Sequence, residues 1–490
     1  MRSDRTAPRW VALALLLAAA YGVFLSRYAA FAVGGSDSSG YANTARRLAA
    51  GTLLQRPRCL DRLGLSDALA PVFTPLGFLP GPRPGTTAPL YPIGFPAHFA
   101  IAGELTGWDV GPFLVSPVAA ATCLILLYLV GRELALTRLW SVAATLILAV
   151  FPPFLFQAVQ PMSDVVATFW CLAAVLGALK ARRHPIWAVA AGASLGVGVL
   201  VRPINALMVV PLFFALPFSA SAWLLAALGG LPLAAAGAAV NVYCYGGILK
   251  TGYGKTGHQA YLAVSNFGPR FLYYGAWIVK TLSPVVPLGA VTACALRRIP
   301  ARDRALALSW FGVYFLFYCF YEPYRSFIFL RFLLPGVPGL LLAAALTAQE
   351  WTIGKKWPRL RGAAAIVATL LVLGLEVRGN REVVVLGVAE GESIYPRVSR
   401  WASRMLPAKS VVVTTYASGA LEYYTDLCYT RWDSLQPETF ARIREAAEAR
   451  GYRFFALLYP DEETELSKHA PGNWRRTGAL RQIGIWQLDP

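Results

Sequence analysis

The sequence consists largely of apolar blocks, separated by short clusters of arginine, lysine, proline and glycine. An apolar helix of roughly 17 to 25 residues, rising about 1.5 Å per residue, matches a hydrocarbon core about 30 Å thick. Of the 490 residues, 56% are hydrophobic and only 14% are charged, an unusual balance for a soluble protein. The blocks therefore predict a mainly α protein, a polytopic bundle of transmembrane helices.

Eleven spans are predicted, and their order sets a topology. They lie near residues 10–31, 111–131, 138–156, 163–181, 186–201, 203–218, 222–243, 271–296, 304–321, 326–347 and 361–377. Basic residues such as Arg182, Arg183, Arg297 and Arg298 occupy alternate loops, which is the positive-inside pattern. It predicts a cytoplasmic N-terminus and an outer C-terminus. Because the net charge of +19 is spread over loops, it argues against a nucleic-acid partner.

Two domains are expected. Residues 1–379 form the transmembrane domain, whose first outer loop is 34–110, and residues 380–490 form a small soluble α/β domain. In the second, helical patterns at "PRVSRWASRML" and "PETFARIREAAEARG" alternate with strand patterns at "SVVVTTY", "YRFFALLYP" and "QIGIWQL". This order predicts a small parallel or mixed sheet with flanking helices.

Asp37 is a lone carboxylate in "GGSDSSGY", directly after the first apolar block. Under the predicted topology it lies at the outer surface, where it is a candidate general base. Asp37, Ser38 or Ser39 could equally cap a helix that begins near Tyr41. The residues alone leave both interpretations open.

Three other charges lie near predicted outer ends of apolar blocks: Asp164, Arg202 and Arg331. Ionisable groups at such depth need a wet cavity or a partner, and a guanidinium binds phosphate through paired hydrogen bonds. The structural alternatives are a helix cap for Asp164 and snorkelling to the headgroups for the two arginines.

"GGSDSSGYANTARRLAAG" and "PLYPIGFPAHFAIAGELTG" resemble the first outer loop of polyprenyl-phosphate-sugar-dependent glycosyltransferases of the GT-C fold. The nearest type is glycosyltransferase family 39, which includes protein O-mannosyltransferases and aminoarabinose transferases. "QPMSDVVATFW", "GASLGVGVLVRP" and "FLRFLLPGVPGL" are similar to further family segments, which carry an acid or an arginine. The resemblance implies a catalytic role for Asp37 and points to Asp164, Arg202 and Arg331.

The expected site follows from this resemblance together with the residues. Asp37 and Asp164 are the catalytic candidates. Substrate-binding candidates are Arg202, Arg331, Tyr41, Arg46, Arg58, Tyr91 and His258. Family members often have two adjacent acids where Asp37 is followed by Ser38, so no cofactor is assigned and a need for divalent metal stays open. The cysteines and histidines form no metal-ligand spacing.

The predicted function is an inverting membrane glycosyltransferase of a bacterial-type inner membrane. It would move a sugar from a polyprenyl-phosphate donor to a hydroxyl of a lipid, protein or glycan on the outer face. The alternative is a transporter or lipid-linked sugar flippase, although no internal repeat typical of transporters is evident. Cys59 and Cys428 are expected outside the bundle, where their pairing is left open.

The topology is testable with a reporter fused after Pro490. Since the basic residues of alternate loops place the C-terminus outside, a periplasmic phosphatase fusion there should be active and a cytoplasmic fluorescent fusion dark. The reverse result would mean that the number of spans is wrong by an odd number.

Overall fold

A computed structural model describes residues 7–255, 261–321, 327–353 and 358–489. Of these residues, 70% are helical when 3-10 helices are included. The α-helices, numbered in chain order, are α1 Ala7–Tyr28, α2 Asp37–Ala49, α3 Arg58–Leu63, α4 Gly94–Thr106, α5 Gly111–Glu133, α6 Arg138–Val150, α7 Pro152–Ala158, α8 Ser163–Ala181, α9 Trp187–Val201, α10 Val209–Ala215, α11 Ala220–Tyr245, α12 Gly252–Lys255, α13 Phe267–Leu282, α14 Val285–Thr292, α15 Ala301–Cys319, α16 Val337–Thr352, α17 Pro358–Glu382, α18 Val388–Glu392, α19 Ile394–Met405, α20 Ser418–Tyr424, α21 Pro437–Glu448 and α22 Pro460–His469. The strands are β1 Phe78–Pro80, β2 Thr87–Pro89, β3 Ser410–Val413, β4 Cys428–Thr430, β5 Arg453–Leu458, β6 Trp474–Leu480 and β7 Ile483–Leu488.

The chain divides into two compact units. The first comprises Met1–Ala29, Leu114–Ala236 and Gly257–Val388, and the second comprises Ala30–Phe113, Gly237–Thr256 and Ala389–Pro490. The first outer segment thus groups with the C-terminal residues, which the boundary predicted near residue 379 did not anticipate. The two predicted domains themselves stay a prediction.

Within the described residues, each predicted span overlaps at least one helix, but the count of eleven is not confirmed. Among the described residues, α5, α8, α11 and α17 are long and apolar enough to cross a membrane. Three bent pairs, α6 with α7, α13 with α14, and the turn 327–333 with α16, would raise the number to seven. Prolines near these breaks remove a backbone donor and restrict φ, which explains why uninterrupted apolar blocks become two shorter helices.

The helices of the first unit pack around large buried side chains. Helix α8 packs along α9, and α16 packs against α6, α14 and α15. Trp310 of α15 is fully buried, and its indole Nε1 donates a hydrogen bond to the Pro335 carbonyl at 2.8 Å. The Pro335 carbonyl, which lies at the break before α16, therefore has a hydrogen-bond donor, as a buried carbonyl requires.

The second unit contains a mixed five-stranded sheet in the order β4-β3-β5-β7-β6. Strand β3 pairs in parallel with β4 and β5, whereas β7 pairs antiparallel with β5 and β6. The strands and helices predicted for residues 380–490 are found at the expected positions, in α19, β3, α21, β5 and β7.

Residues from the first outer segment cover one face of this sheet. Leu60 and Phe73 lie in one apolar cluster with Val411 and Phe454. Cys59 and Cys428 belong to the same cluster and are buried free thiols. The N-terminal part of the unit therefore shares a hydrophobic core with strands more than 300 residues later in the chain.

Small residues bring two helices of the first unit into close contact. An added Cβ at Gly192 of α9 would lie 1.8 Å from the carbonyl oxygen of Ala226 on α11. At Gly229 of α11 it would lie 2.1 Å from the Val189 carbonyl oxygen. In a membrane, apolar helices associate through small residues of this kind, which allow the two backbones to approach closely.

Gly192→Ala should therefore destabilise the protein by about 1 to 3 kcal/mol through overpacking. Gly362→Ala on α17 is the matched control, because nothing lies within 4 Å of its added Cβ, and helix propensity there favours alanine by about 1 kcal/mol. Thermal unfolding of both purified variants in one detergent provides the comparison. Equal unfolding temperatures would contradict the proposed close packing.

Candidate functional site

Asp37 is the first residue of α2, which begins four residues earlier than the sequence suggested. Ser36 is at the N-cap position and makes no side-chain capping bond. Asp37 is therefore not the helix cap, although a negative charge in the first turn is favourable toward the helix dipole. Its side chain is half-buried.

Tyr91 binds the Asp37 carboxylate. The phenol donates a hydrogen bond to Asp37 Oδ1 at 2.6 Å, and its oxygen also lies 2.9 Å from Ser36 Oγ. Burial, followed by the charge of Asp37, raises the pKa of Tyr91 well above its usual value. The phenol thus stays a neutral donor, and it holds the carboxylate in one orientation.

Aromatic rings surround this hydrogen bond. Tyr41 packs on Tyr91 with ring centroids 4.9 Å apart, and Tyr253 lies 6.2 Å from Tyr91 edge to face. Tyr41 also meets the buried Phe95 at 4.8 Å. The predicted residues Asp37, Tyr41 and Tyr91 therefore lie together.

Gly40 and Gly77 allow the backbone of α2 to lie close to residue 77 and to the Tyr91 ring. An added Cβ at Gly77, whose φ is +83°, would lie 2.3 Å from the Cα of Gly40 on α2. An added Cβ at Gly40 would lie 2.6 Å from the Tyr91 ring. Neither glycine was among the predicted site residues, because their partners are distant in sequence.

Arg46 and Arg58 contact the C-terminal part of the unit instead. Arg46 donates to the Tyr423 carbonyl at 2.8 Å and lies over the Tyr423 ring at 3.7 Å. Arg58 pairs with Glu422 and donates to the Thr425 carbonyl at 2.6 Å. These contacts join α2 and α3 to the α20 region, and a substrate role for either arginine stays a prediction. His258 lies outside the described residues.

In the first unit, Asp164 and Arg202 form an ion pair between guanidinium Nη1 and carboxylate Oδ1. Asp164 is in the first turn of α8 with its side chain only 1% exposed, and Met162 is the N-cap. Asp164 is thus not the cap. Arg202 directly follows α9, and its pairing accounts for a charge at this depth without snorkelling.

A short hydrogen-bond chain positions the backbone around Arg202. Asn205 donates from Nδ2 to the Gly198 carbonyl at 3.0 Å, and its Oδ1 accepts from the Tyr314 hydroxyl at 2.8 Å. Asn205 and Tyr314 are fully buried. The end of α9 is therefore tied to α15.

Arg202 and Arg331 share one aromatic neighbour. Their guanidinium carbons lie 5.6 and 5.5 Å from the ring centroid of Phe332. Phe332 stacks on Tyr318 with a centroid distance of 5.0 Å. The structure thus brings together Asp164, Arg202 and Arg331, as well as two aromatic residues that the sequence did not reveal.

Among the described residues, the group formed by Asp164, Arg202 and Arg331 brings two guanidinium groups near one carboxylate. Arginines presenting several N–H donors from a region of low dielectric are suited to an anion such as a phosphate. Among the described residues, no three His, Cys, Asp or Glu side chains lie together as a metal site would require. A need for divalent metal therefore stays open, as it did in the sequence analysis.

Residues 88–245, about a third of the chain, match the family described as dolichyl-phosphate-mannose-protein mannosyltransferase. ArnT from Cupriavidus metallidurans, solved with undecaprenyl phosphate, superposes with a TM-score of 0.61. That match has 12% identity and covers 99% of this chain and 98% of ArnT. The chain has the GT-C fold.

Two further GT-C structures agree. The Archaeoglobus fulgidus oligosaccharyltransferase gives a TM-score of 0.56 at 14% identity over 94% of this chain and 70% of its own. The arabinofuranosyltransferase AftD from Mycobacteria gives 0.55 at 14% identity over 98% of this chain and 41% of its own. A comparison with curated proteins found no match. The resemblance drawn from the first outer loop is thus confirmed for the fold, and the GT-C fold with its apolar helices is that of a membrane protein.

The ion pair between Asp164 and Arg202 leads to a prediction about stability. Arg202→Leu leaves the buried Asp164 carboxylate without its partner and should cost about 3 to 5 kcal/mol. Adding Asp164→Leu should restore part of that loss, because the uncompensated charge is removed. Thermal unfolding of the wild type, of both single variants and of the double variant gives the coupling energy. A coupling energy of zero would show that the pair is not formed.

Proposed function

We propose that the protein is a membrane glycosyltransferase that moves a sugar from a polyprenyl phosphate to an acceptor hydroxyl. The observation that carries this proposal is the half-buried Asp37 carboxylate, oriented by the neutral phenol of Tyr91. A general base needs a fixed carboxylate within hydrogen-bond reach of the hydroxyl that it deprotonates. The fold supports the same activity, since ArnT was solved with undecaprenyl phosphate, and AglB, the oligosaccharyltransferase from Archaeoglobus fulgidus, with dolichol phosphate and an inhibitory peptide.

In this mechanism Asp37 accepts the proton of the acceptor hydroxyl as its oxygen attacks the anomeric carbon. The bond from that carbon to the phosphate oxygen breaks, and its electron pair leaves with the lipid phosphate. Tyr91 is a positioning residue that keeps Oδ1 in place. One displacement inverts the anomeric centre, as in one-step glycoside chemistry.

Arg202 and Arg331 are proposed to stabilise the departing phosphate. Charge that develops on a leaving group is best stabilised by donors already oriented before reaction. The ion pair with Asp164 gives Arg202 such an orientation, so Asp164 is assigned a positioning role in place of a second base. Tyr41 packs against Tyr91 and belongs to the proposed substrate-binding surface.

The place of reaction follows from the predicted topology. Asp37 comes directly after the first apolar helix and is proposed to act at the outer face of a bacterial-type inner membrane. A lipid, a protein or a glycan would serve as acceptor, each offering the hydroxyl that the chemistry needs.

Asp37→Asn keeps the shape of the side chain and its ability to accept a hydrogen bond from Tyr91, but it removes the base. Sugar transfer should fall by about 10²- to 10⁴-fold, while the protein stays folded and still binds the donor lipid. The assay uses purified protein, a panel of labelled polyprenyl-phosphate sugars and envelope extract as acceptor, with thermal unfolding in parallel.

Asp67→Asn is the matched control. Asp67 lies in the same outer segment as Asp37, and its ion pair with Arg56 is at the protein surface. It should transfer sugar at the wild-type rate. If folded Asp37→Asn does so too, Asp37 is not the base. Movement of the donor across vesicles without any sugar transfer by the wild type would support a flippase instead.

A further inference from the structure

Two buried thiols lie in the apolar cluster that joins the first outer segment to the C-terminal sheet. Cys59 is the second residue of α3, and Cys428 is the first residue of β4. Each residue is only 1% exposed. Both belong to the second unit, although more than 300 positions separate them in the sequence.

The alternation of side chains along β4 directs Cys428 toward α3. Successive residues of a strand point to opposite faces of the sheet. Cys428 lies in one cluster with Leu60 of α3, whereas Tyr429 belongs to the cluster on the other face. The Thr430 hydroxyl, on the same face as Cys428, donates to the Val72 carbonyl at 3.0 Å. The first outer segment therefore covers the face of β4 that carries Cys428.

Cys59 approaches β4 from α3. Its thiol donates a hydrogen bond to the carbonyl of Tyr429, the residue directly after Cys428, at 3.7 Å. The two thiols also interact directly with each other. A disulfide joins Cβ atoms about 4 Å apart, which only side chains in direct contact can reach.

Two arginines fix α3 against the segment that precedes β4. Arg58 donates to the Thr425 carbonyl at 2.6 Å, and Arg62 donates to the Asp426 carbonyl. These arginines lie on either side of Cys59 in the sequence. The position of Cys59 beside β4 is thus set by hydrogen bonds that do not involve sulfur.

The surroundings distinguish the two sulfurs. The Cys59 thiol, together with the Arg62 and Arg58 guanidinium groups, lowers the pKa of Cys428 against the opposing effect of burial. Burial raises the pKa of Cys59 well above its usual value. Since the thiolate is the nucleophile in thiol–disulfide exchange, Cys428 is the sulfur suited to attack first.

We propose that Cys59 and Cys428 form an intramolecular disulfide that ties α3 to the edge strand β4. The inference rests on the outer-face placement proposed above, because disulfides form and persist in oxidising compartments. It does not depend on sugar transfer. The oxidant is a thiol oxidoreductase of that compartment that carries a disulfide.

The exchange has two steps. The Cys428 thiolate attacks the disulfide of the oxidoreductase, which forms a mixed disulfide and releases one sulfur of the oxidant. Cys59 then loses its proton and attacks the Cys428 sulfur, which releases the second. Two electrons pass to the oxidant, and its two sulfurs take up the two protons that the cysteines lose. Because both thiols are buried in the folded unit, the exchange takes place before α3 covers β4.

The bond would stabilise the second unit. Strand β4 is at the edge of its sheet, and the bond closes a loop that contains most of the chain. In the chain-entropy model, a cross-link stabilises a fold more as the loop that it closes grows longer. Reduction should therefore lower the unfolding temperature.

Mass spectrometry of the full-length protein tests the pairing. Cells are lysed in denaturant with N-ethylmaleimide and without reductant, and the purified protein is digested with trypsin. Peptide 59–62 should be linked to peptide 410–431, and dithiothreitol should separate them. Cys294, which is exposed, should carry maleimide in the same sample.

Thermal unfolding gives a second measurement. Incubation with dithiothreitol until the linked peptide is lost should lower the unfolding temperature of the wild type by about 5 °C or more. Cys59→Ala and Cys428→Ala should unfold at the same temperature with and without dithiothreitol. Cys123→Ala is the matched control, since this buried thiol also donates to a carbonyl, that of Val165, at 3.7 Å. It should respond to dithiothreitol as the wild type does.

Maleimide on both Cys59 and Cys428 of the wild type would overturn the proposal, as would a link from either cysteine to any other peptide. If the reporter after Pro490 is outside, free thiols reject the pairing itself. If it is inside, they reject the outer-face placement as well. Neither measurement uses sugar transfer, so a failure of the proposed function is distinguishable from a failure of the disulfide.

Discussion

Hydrocarbon cannot solvate a charge, so a charged side chain among apolar helices needs a partner from the protein. In the first unit these partners join helix ends. Arg182, after α8, donates to the Ala215 carbonyl that ends α10 and to Asp303 Oδ1 in the first turn of α15, at 2.9 and 2.8 Å. Asp164 and Arg202 join the start of α8 to the end of α9 in the same way. The helices are therefore held in register at both ends of α8.

This constraint also shapes the candidate site. A guanidinium that is buried against a carboxylate on one side still carries N–H donors that can reach a ligand. Phe332 lies near the guanidinium groups of both Arg202 and Arg331, and the face of an aromatic ring attracts a cation without neutralising it. The same residues that stabilise the helix ends therefore include the two arginines for which a phosphate-binding role is proposed.

The sequence predicted the apolar helices, the strands and helices of the C-terminal segment, and several residues that meet in the structure. These features rest on local patterns: an apolar run, an alternation, or a charge at the end of a block. Asp37, Asp164 and Arg202 stood out as charges at the ends of apolar blocks, and the family resemblance pointed to a functional role for them. The bends within predicted spans were missed, since a proline does not always break a helix: Pro117 and Pro232 lie inside the unbroken helices α5 and α11.

The sequence by itself determined that this chain forms apolar helices, since hydrocarbon allows few other structures for such blocks. It also placed its acids and arginines at block ends. Only the tertiary structure decided that Tyr91 binds Asp37, that Gly40 and Gly77 meet, and that Phe332 lies near Arg202. These contacts join residues that are tens to hundreds of positions apart. Their formation depends on the packing of whole helices and strands, which no local pattern encodes.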